Sequence, residues 1–287
     1  MKKILTLIAA CVVLTGCHTK ENTDSAQPDV QSTKIYYTNL NNKTTQQEAK
    51  DILSENKVPD QQIDTLIEWA DDFNQRVKND SLTNGLTPLH DLKVDYSNVS
   101  LEMKETDSGD LFPEVNCRLS SFLLSKHLIQ TNHQAINDDT FLMFDIEAID
   151  QFDMYHLSPE ERANFITLFN WVPMNGTKKE EEQIQLIQQA WSDREIQMAP
   201  GNMSLVNVYL HSPLEDIRFV GHTGVLMEQG TQLIFIEKFG PLYPFQTTTF
   251  QSREELNDYL LNRDDLYGEK DELPPIIMEN DHLLYQK

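Results

Sequence analysis

Residues Phe219–Lys238 read FVGHTGVLMEQGTQLIFIEK, and how this stretch pairs with itself decides the fold. Phe219 to Met227 and Leu233 to Phe239 are two apolar-rich runs separated by Gln229-Gly230, the pattern of a β-hairpin. A turn centred on that dipeptide sets His222 directly opposite Glu237. Cross-strand partners have Cβ atoms roughly 4.5–5.5 Å apart, which would bring an imidazole and a carboxylate into hydrogen-bond reach. A slip of one residue would send Glu237 to the opposite face and promote Lys238 or Gln246 to its place. Gly221 and Gly224 flank His222 and let neighbouring chain approach closely. Such a histidine is either a core residue beside a bend or a base aimed at a nucleophile. The choice depends on whether the chain supplies that nucleophile.

Working outward, Leu205 to Leu210 alternates apolar and polar residues, and Thr247 to Phe250 adds a further candidate strand. Three to five closely spaced strands imply an antiparallel sheet. Ser252-Arg253-Glu254-Glu255 then opens a helix. Upstream of the sheet the chain reads as helical. Thr45-Gln46-Gln47-Glu48 is a capping-box pattern, and Ser158-Pro159-Glu160-Glu161 is a second helix start with proline at its first position. After Pro59, residues Ile63, Leu66, Ile67, Ala70, Phe73 and Val77 form one apolar stripe at helical spacing. Lys178 to Asp193 predicts another helix, and Trp69, Trp171 and Trp191 fall on helical segments as packing residues. Helices first and a sheet afterwards is the α+β class, expected as one domain over residues 43–287.

The candidate nucleophile is Cys117, in PEVNCRLSSFLLSKHL. Leu119, Phe122, Leu123 and then His127-Leu128 follow it with helical spacing, which puts the cysteine at a helix N-terminus. Unpaired N–H groups and the positive end of the helix dipole stabilise a thiolate there. Arg118 adds positive charge if it faces the thiol. His222 would be the base and Glu237 the residue that orients it. Asn116 is either the helix cap or an oxyanion donor, and Gln246 either lines the cleft or belongs to a turn. Taken singly, each of the three has a plainer reading: a buried small residue, a structural histidine, a strand-end charge.

This order of residues resembles the papain-like cysteine peptidase superfamily, and within it the NlpC/P60-type cell-wall hydrolases. In those a cysteine opens a helix, a histidine lies on a following strand, and a polar residue on the next strand orients it. The resemblance spans roughly Asn116 to Phe250 and is one of arrangement. The Asp-Cys-Ser-Gly signature is here Asn116-Cys117-Arg118-Leu119, and Leu111, Phe112 and Pro113 stand where a papain-type glutamine is expected. The oxyanion hole is therefore unassigned beyond the Cys117 N–H. The resemblance implies a papain-like core and attack on an amide bond. A transglutaminase-type acyl transfer would use the same residue types. Separately, GHTGVL, FIEK and PFQ resemble segments of an uncharacterised bacterial lipoprotein family, a domain of unknown function.

The N-terminus carries Lys2, Lys3 and an apolar run from Ile4 to Leu14 that is too short to span a bilayer. Leu14-Thr15-Gly16-Cys17 resembles the lipobox of bacterial lipoproteins, which implies cleavage after residue 16 and a lipid on Cys17. The expectation is a signal peptide over 1–16, a polar tether over 17–42, and a domain outside the cytoplasm anchored to membrane by lipid. Cys11 would leave with the signal and Cys17 would be blocked, so of three cysteines only Cys117 stays free. Net charge is −23, and losing Lys2 and Lys3 with no acid makes it −25, which excludes nucleic acid as a partner. No His-Glu-x-x-His, cysteine pair, calcium loop or phosphate loop is present, so no metal and no cofactor is expected. Ser54 and Lys57 match a β-lactamase-type pair, but Lys-Thr-Gly is absent. The leading expectation is a cysteine hydrolase or acyltransferase acting on an amide bond, with cell-wall peptide as substrate. A non-catalytic surface lipoprotein that binds a ligand or protein is the alternative.

Overall fold

The structure, a computed structural model, describes residues 35–132, 138–266 and 271–286. The leader, Cys17, the tether as far as residue 34, and His133 lie outside the described residues. Seven helices are described: α1 (Lys43–Glu55), α2 (Asp60–Arg76), α3 (Cys117–Ser125), α4 (Met143–Gln151), α5 (Pro159–Phe169), α6 (Glu180–Asp193) and α7 (Arg253–Leu261). The strands are β1 (Tyr36–Thr38), β2 (Thr87–Pro88), β3 (Ile129–Gln130), β4 (Val172–Pro173), β5 (Gln197–Met198) and β6 (Met203–Ser212). They continue as β7 (Ile217–Gln229), β8 (Gln232–Lys238), β9 (Phe245–Phe250), β10 (Ile276–Glu279) and β11 (His282–Leu283). The main sheet runs β11-β10-β6-β7-β8-β9-β1-β2, with β4 also on β7, and all of its pairs are antiparallel. This is a mixed α/β fold built on a large antiparallel sheet.

The alternation in the central strands separates two cores, because successive side chains leave opposite faces. Val225 and Met227 of β7 and Ile234 and Ile236 of β8 face a core shared with buried residues of α1 through α6. Leu226 and Phe235 face a second core closed by Leu256, Tyr259 and Leu260 of α7. The sheet is thus covered on both sides, which is why its strands read as nearly continuous apolar runs. Among the described residues no helix is long and apolar enough to cross a membrane.

The hairpin has a different register from the expected one. Gln229 pairs with Gln232, so the loop is Gly230-Thr231, and Gly230 supplies the positive φ (61°) that a tight two-residue loop requires. Glu237 consequently pairs with Gly224 rather than with His222. The displacement is two residues, an even number, so Glu237 stays on the His222 face.

The two glycines have packing causes. Against β6, His222 pairs with Val208 and Val220 with Tyr209, which leaves Gly221 as the extra residue of a β-bulge. A Cβ on Gly221 would stand 2.2 Å from Leu210 Cδ1, and one on Gly224 would stand 2.2 Å from Phe235 Cζ.

Other expectations need correction. Helix α1 starts at Lys43, capped by Asn42, whose side chain accepts from the Thr45 N–H; Thr45 itself is already helical and buried. Residues 36–38, expected in the tether, form β1 between β9 and β2, and Asn39 is fully buried. Helix α3 ends at Ser125, ahead of His127, and Trp171 lies in the link between α5 and β4. The capping box at Ser158 is present, with both reciprocal bonds formed.

Candidate active site

Helix α3 begins at Cys117 because Asn116 stops the extended chain and caps it. Asn116 has φ −115° and ψ −178°, and its Oδ1 accepts from the Leu119 N–H at 3.0 Å. Its amide nitrogen donates to Asp145 Oδ1 at 2.6 Å. Arg118, the next residue after the cysteine, donates to Asp145 Oδ2 at 2.7 and 3.1 Å and to the Val220 carbonyl at 2.9 Å. Asp145 on α4 is completely buried, so one carboxylate ties both neighbours of Cys117 and, through Arg118, the helix start to β7. The Asn116 side chain is thereby committed to cap and brace. Further along α3, Phe122 packs edge-to-face on Phe165 with ring centroids 5.3 Å apart, which fixes the helix against α5.

The Cys117 thiol sits beside His222 and the Thr223 N–H, close enough for both to hold its pKa down, on the part of β7 that β8 no longer covers. His222 Nε2 lies 2.6 Å from Glu237 Oε2, on a side chain only 2% exposed. The two residues are diagonal neighbours on one sheet face, a relation that a long glutamate side chain can bridge. Tyr259 of α7 donates to the other carboxylate oxygen at 2.6 Å. Arg263 Nη1 donates to Glu237 Oε2 at 2.6 Å and stands 3.0 Å from His222 Nε2. The ionised Glu237 carboxylate only accepts, so Nε2 must donate to it, and the Arg263 Nη1 proton goes to the same oxygen rather than to the ring nitrogen. That leaves Nδ1 for the cysteine.

Arg263 is itself held. Its second nitrogen donates to the Phe239 carbonyl and to Asp265, each at 2.7 Å, and its plane lies 3.6 Å from the Phe239 ring centroid. Gln246 is fully buried behind the carboxylate rather than beside the thiol. It donates to Tyr259 OH at 2.8 Å, accepts from Tyr96 OH at 2.7 Å, and stands 3.5 Å from Glu237 Oε1.

The electrostatics favour separated charge. Burial pushes the Cys117 thiol up, but His222, Arg118 and the Thr223 N–H outweigh it and hold the thiol below its ordinary value. Burial and Arg263 push His222 down, yet the bonds to Cys117 and Glu237 carry it above its usual range. Glu237 is raised by burial and lowered more strongly by Arg263, His222 and Tyr259. A low thiol and a high imidazole are the conditions for a thiolate–imidazolium pair. Such a pair can attack an electrophilic carbon and return a proton to the leaving group.

The structure therefore brings Cys117, His222 and Glu237 together and uses Asn116 and Gln246 as supports. Cys117 is 7% exposed. Sequence reasoning missed Asp145, Tyr259 and Arg263, which reach the site from α4, α7 and the residues after it. It also left Lys238 unexplained. That lysine is fully buried, donates to the carbonyls of Gly240 (2.9 Å), Pro241 (3.1 Å) and Tyr243, and sits 4.0 Å from the Phe73 ring centroid. Burial draws its pKa down to about 7, while the three carbonyls and the aromatic face favour its charged form. Among the described residues no group of three or more His, Cys, Asp or Glu side chains is arranged to hold a metal ion.

Residues 36–284, from the first residue of β1 to the residue after β11, match a family model described as a domain of unknown function, DUF4300. No curated protein and no solved structure gives a significant match. The match takes in α3 and both strands of the hairpin, and with them Cys117, His222 and Glu237, and on its extent the chain belongs to the DUF4300 family.

Proposed function

We propose that this chain is a cysteine hydrolase or acyltransferase that acts on an amide bond. The observation that carries the reading is the placement of the Cys117 thiol beside His222, itself 2.6 Å from Glu237, with the thiol at a helix N-terminus. The thiolate attacks the amide carbonyl carbon and forms the C–S bond. The His222 imidazolium gives its proton to the departing amine as the C–N bond breaks. Water, or a second amine, then attacks the thioester carbonyl. His222 takes up the incoming proton, and the C–S bond breaks to release the acid or the new amide and restore the Cys117 thiolate. Glu237 keeps the ring in the required tautomer and orientation. The free N–H groups of the first turn of α3, that of Cys117 among them, are the available oxyanion donors. The cysteine-on-helix, histidine-on-strand arrangement supports a papain-like core of the NlpC/P60 kind.

The leader pattern supports an extracytoplasmic location, with a lipid on Cys17 holding the domain at the membrane and the peptide part of the cell wall as substrate class. The test is incubation of the protein with cell-wall peptides. It should release amines or shortened peptides, leave a thioester on Cys117 that hydroxylamine removes, and lose both in Cys117→Ser. The anchor is tested separately: Cys17→Ala should shift the protein out of the membrane fraction or leave an uncleaved precursor.

One observation favours the non-catalytic alternative, a lipoprotein that binds a ligand or partner. The thiol is almost fully covered. Absence of any thioester, together with slow, pH-insensitive alkylation of Cys117, would select that reading.

A further inference from the structure

A groove of about 830 Å³ lies between the loop over residues 105–113 and α4. That is the size of a ligand site rather than of a packing defect. Phe112 and Phe152 form its base as an edge-to-face pair with centroids 4.5 Å apart. Leu111 and Phe144 stand at its sides, 66% and 76% exposed. Two large apolar side chains exposed in one concave, polar-rimmed place are a feature of binding grooves.

The charge around this apolar groove selects its occupant. Glu105, Asp107, Asp110 and Glu147 line it, and no lysine, arginine or histidine does. None of these four carboxylates forms an ion pair among the described residues. Their remaining contacts are local hydroxyl and amide bonds, from Ser108 to Asp110 and from Gln151 to Glu147. Lys104, whose Nζ stands 5.6 Å from the Phe112 ring centroid, is already paired with Asp72 at 2.5 Å.

The groove shares two elements with the surroundings of the cysteine. Pro113 lines it four residues ahead of Cys117. Helix α4 presents Phe144, Glu147, Ala148 and Gln151 to it, while Asp145 of the same helix holds Asn116 and Arg118.

We propose that this groove binds a peptide segment that carries primary amines beside apolar side chains, and that it is the substrate-recognition subsite of the Cys117 centre. The second half of this statement rests on the hydrolase reading; the binding itself does not. Apolar side chains of the peptide lie on Phe144 and Leu111, and its ammonium groups face the four carboxylates.

The test is fluorescence anisotropy with a labelled peptide of alternating lysine and phenylalanine, read against the same peptide with every lysine acetylated. The unmodified peptide should bind about tenfold more tightly, as expected when several partly exposed charge pairs add, and the advantage should shrink with salt. Phe144→Ser and Glu147→Lys should each weaken binding several-fold. Glu48→Lys, the same charge change at an exposed site on α1, should not. Cys117→Ser should bind as wild type does. Equal affinity for the acetylated peptide would overturn the proposed ligand chemistry. Equal weakening by Glu147→Lys and Glu48→Lys, or no effect of Phe144→Ser, would mean that the peptide binds the acidic surface at large and would overturn the site. No binding by either peptide would do the same. An inert Cys117 with intact binding would remove the hydrolase reading and leave the groove.

Discussion

Glu237 pairs across the hairpin with Gly224, yet its carboxylate lies 2.6 Å from the ring of His222, two residues further along β7. The diagonal contact depends on two local features. Gly224 lacks a side chain, so Phe235 occupies the space beside it. The Gly221 bulge adds a residue to β7 next to His222, at the point where its pairing with β6 shifts register. The orientation of the base thus follows from backbone irregularity as much as from the identities of the acid and the imidazole.

The bulge can be tested by refilling it. Gly221→Ala places a methyl 2.2 Å from Leu210 Cδ1 and should destabilise the protein by about 1–3 kcal/mol in urea unfolding. The three nearest atoms all belong to the Leu210 side chain, so adding Leu210→Ala should recover part of that loss rather than deepen it. Simple additivity of the two losses would contradict the packing account.

Glu237→Gln keeps the shape of the side chain and removes its charge. Arg263, itself buried, would retain only Asp265 as an anionic partner. Breaking a buried ion pair on one side typically costs about 3–5 kcal/mol; because Asp265 remains, a loss near the lower end is expected in chemical denaturation. The His222 ring would also lose its fixed tautomer, and Cys117 alkylation at neutral pH should slow.

Acid should have the same target. Folding holds the Glu237 carboxyl below its ordinary value of 4.5. Its stabilising contribution is therefore complete above pH 4.5 and is lost as pH falls through the lower, folded value. Urea midpoints should drop on acidification below that range, and Glu237→Gln should flatten this limb. Above pH 6.5 no comparable limb is expected, because the two partners oppose each other. The raised His222 loses its contribution as pH climbs through its folded value, while the lowered Cys117 gains one. An acid limb unchanged in Glu237→Gln would assign the effect to other carboxylates.

How much of this could be read from the sequence depends on the range of the interactions. Strands β6 to β9 were legible because each alternates or runs apolar between turn residues, and α3 because Asn116 precedes an apolar helical pattern. The face of Glu237 was legible from parity. Its register was not, because Gln229-Gly230 and Gly230-Thr231 are both plausible turns, and only packing of Phe235 over Gly224 and the positive φ of Gly230 select the second. Helix α4 hid because its inward face carries a carboxylate, Asp145, whose partners Asn116 and Arg118 lie 29 and 27 residues away. Arg263 hid for the same reason, since its pairing with Glu237 spans 26 residues and leaves no local pattern. Strand β1 is only three residues long and owes its place to β9, so its sequence reads as the end of a polar tether.

The central claim is that Cys117 is a thiolate maintained by His222. The most direct measurement is the rate of iodoacetamide alkylation of Cys117 in the folded protein from pH 5 to 10, for wild type and for His222→Ala. The account predicts a wild-type profile whose rise lies below the ordinary cysteine value of 9.0, and a variant profile displaced towards higher pH. Superimposable profiles, rising only near or above pH 9 in both proteins, would contradict it.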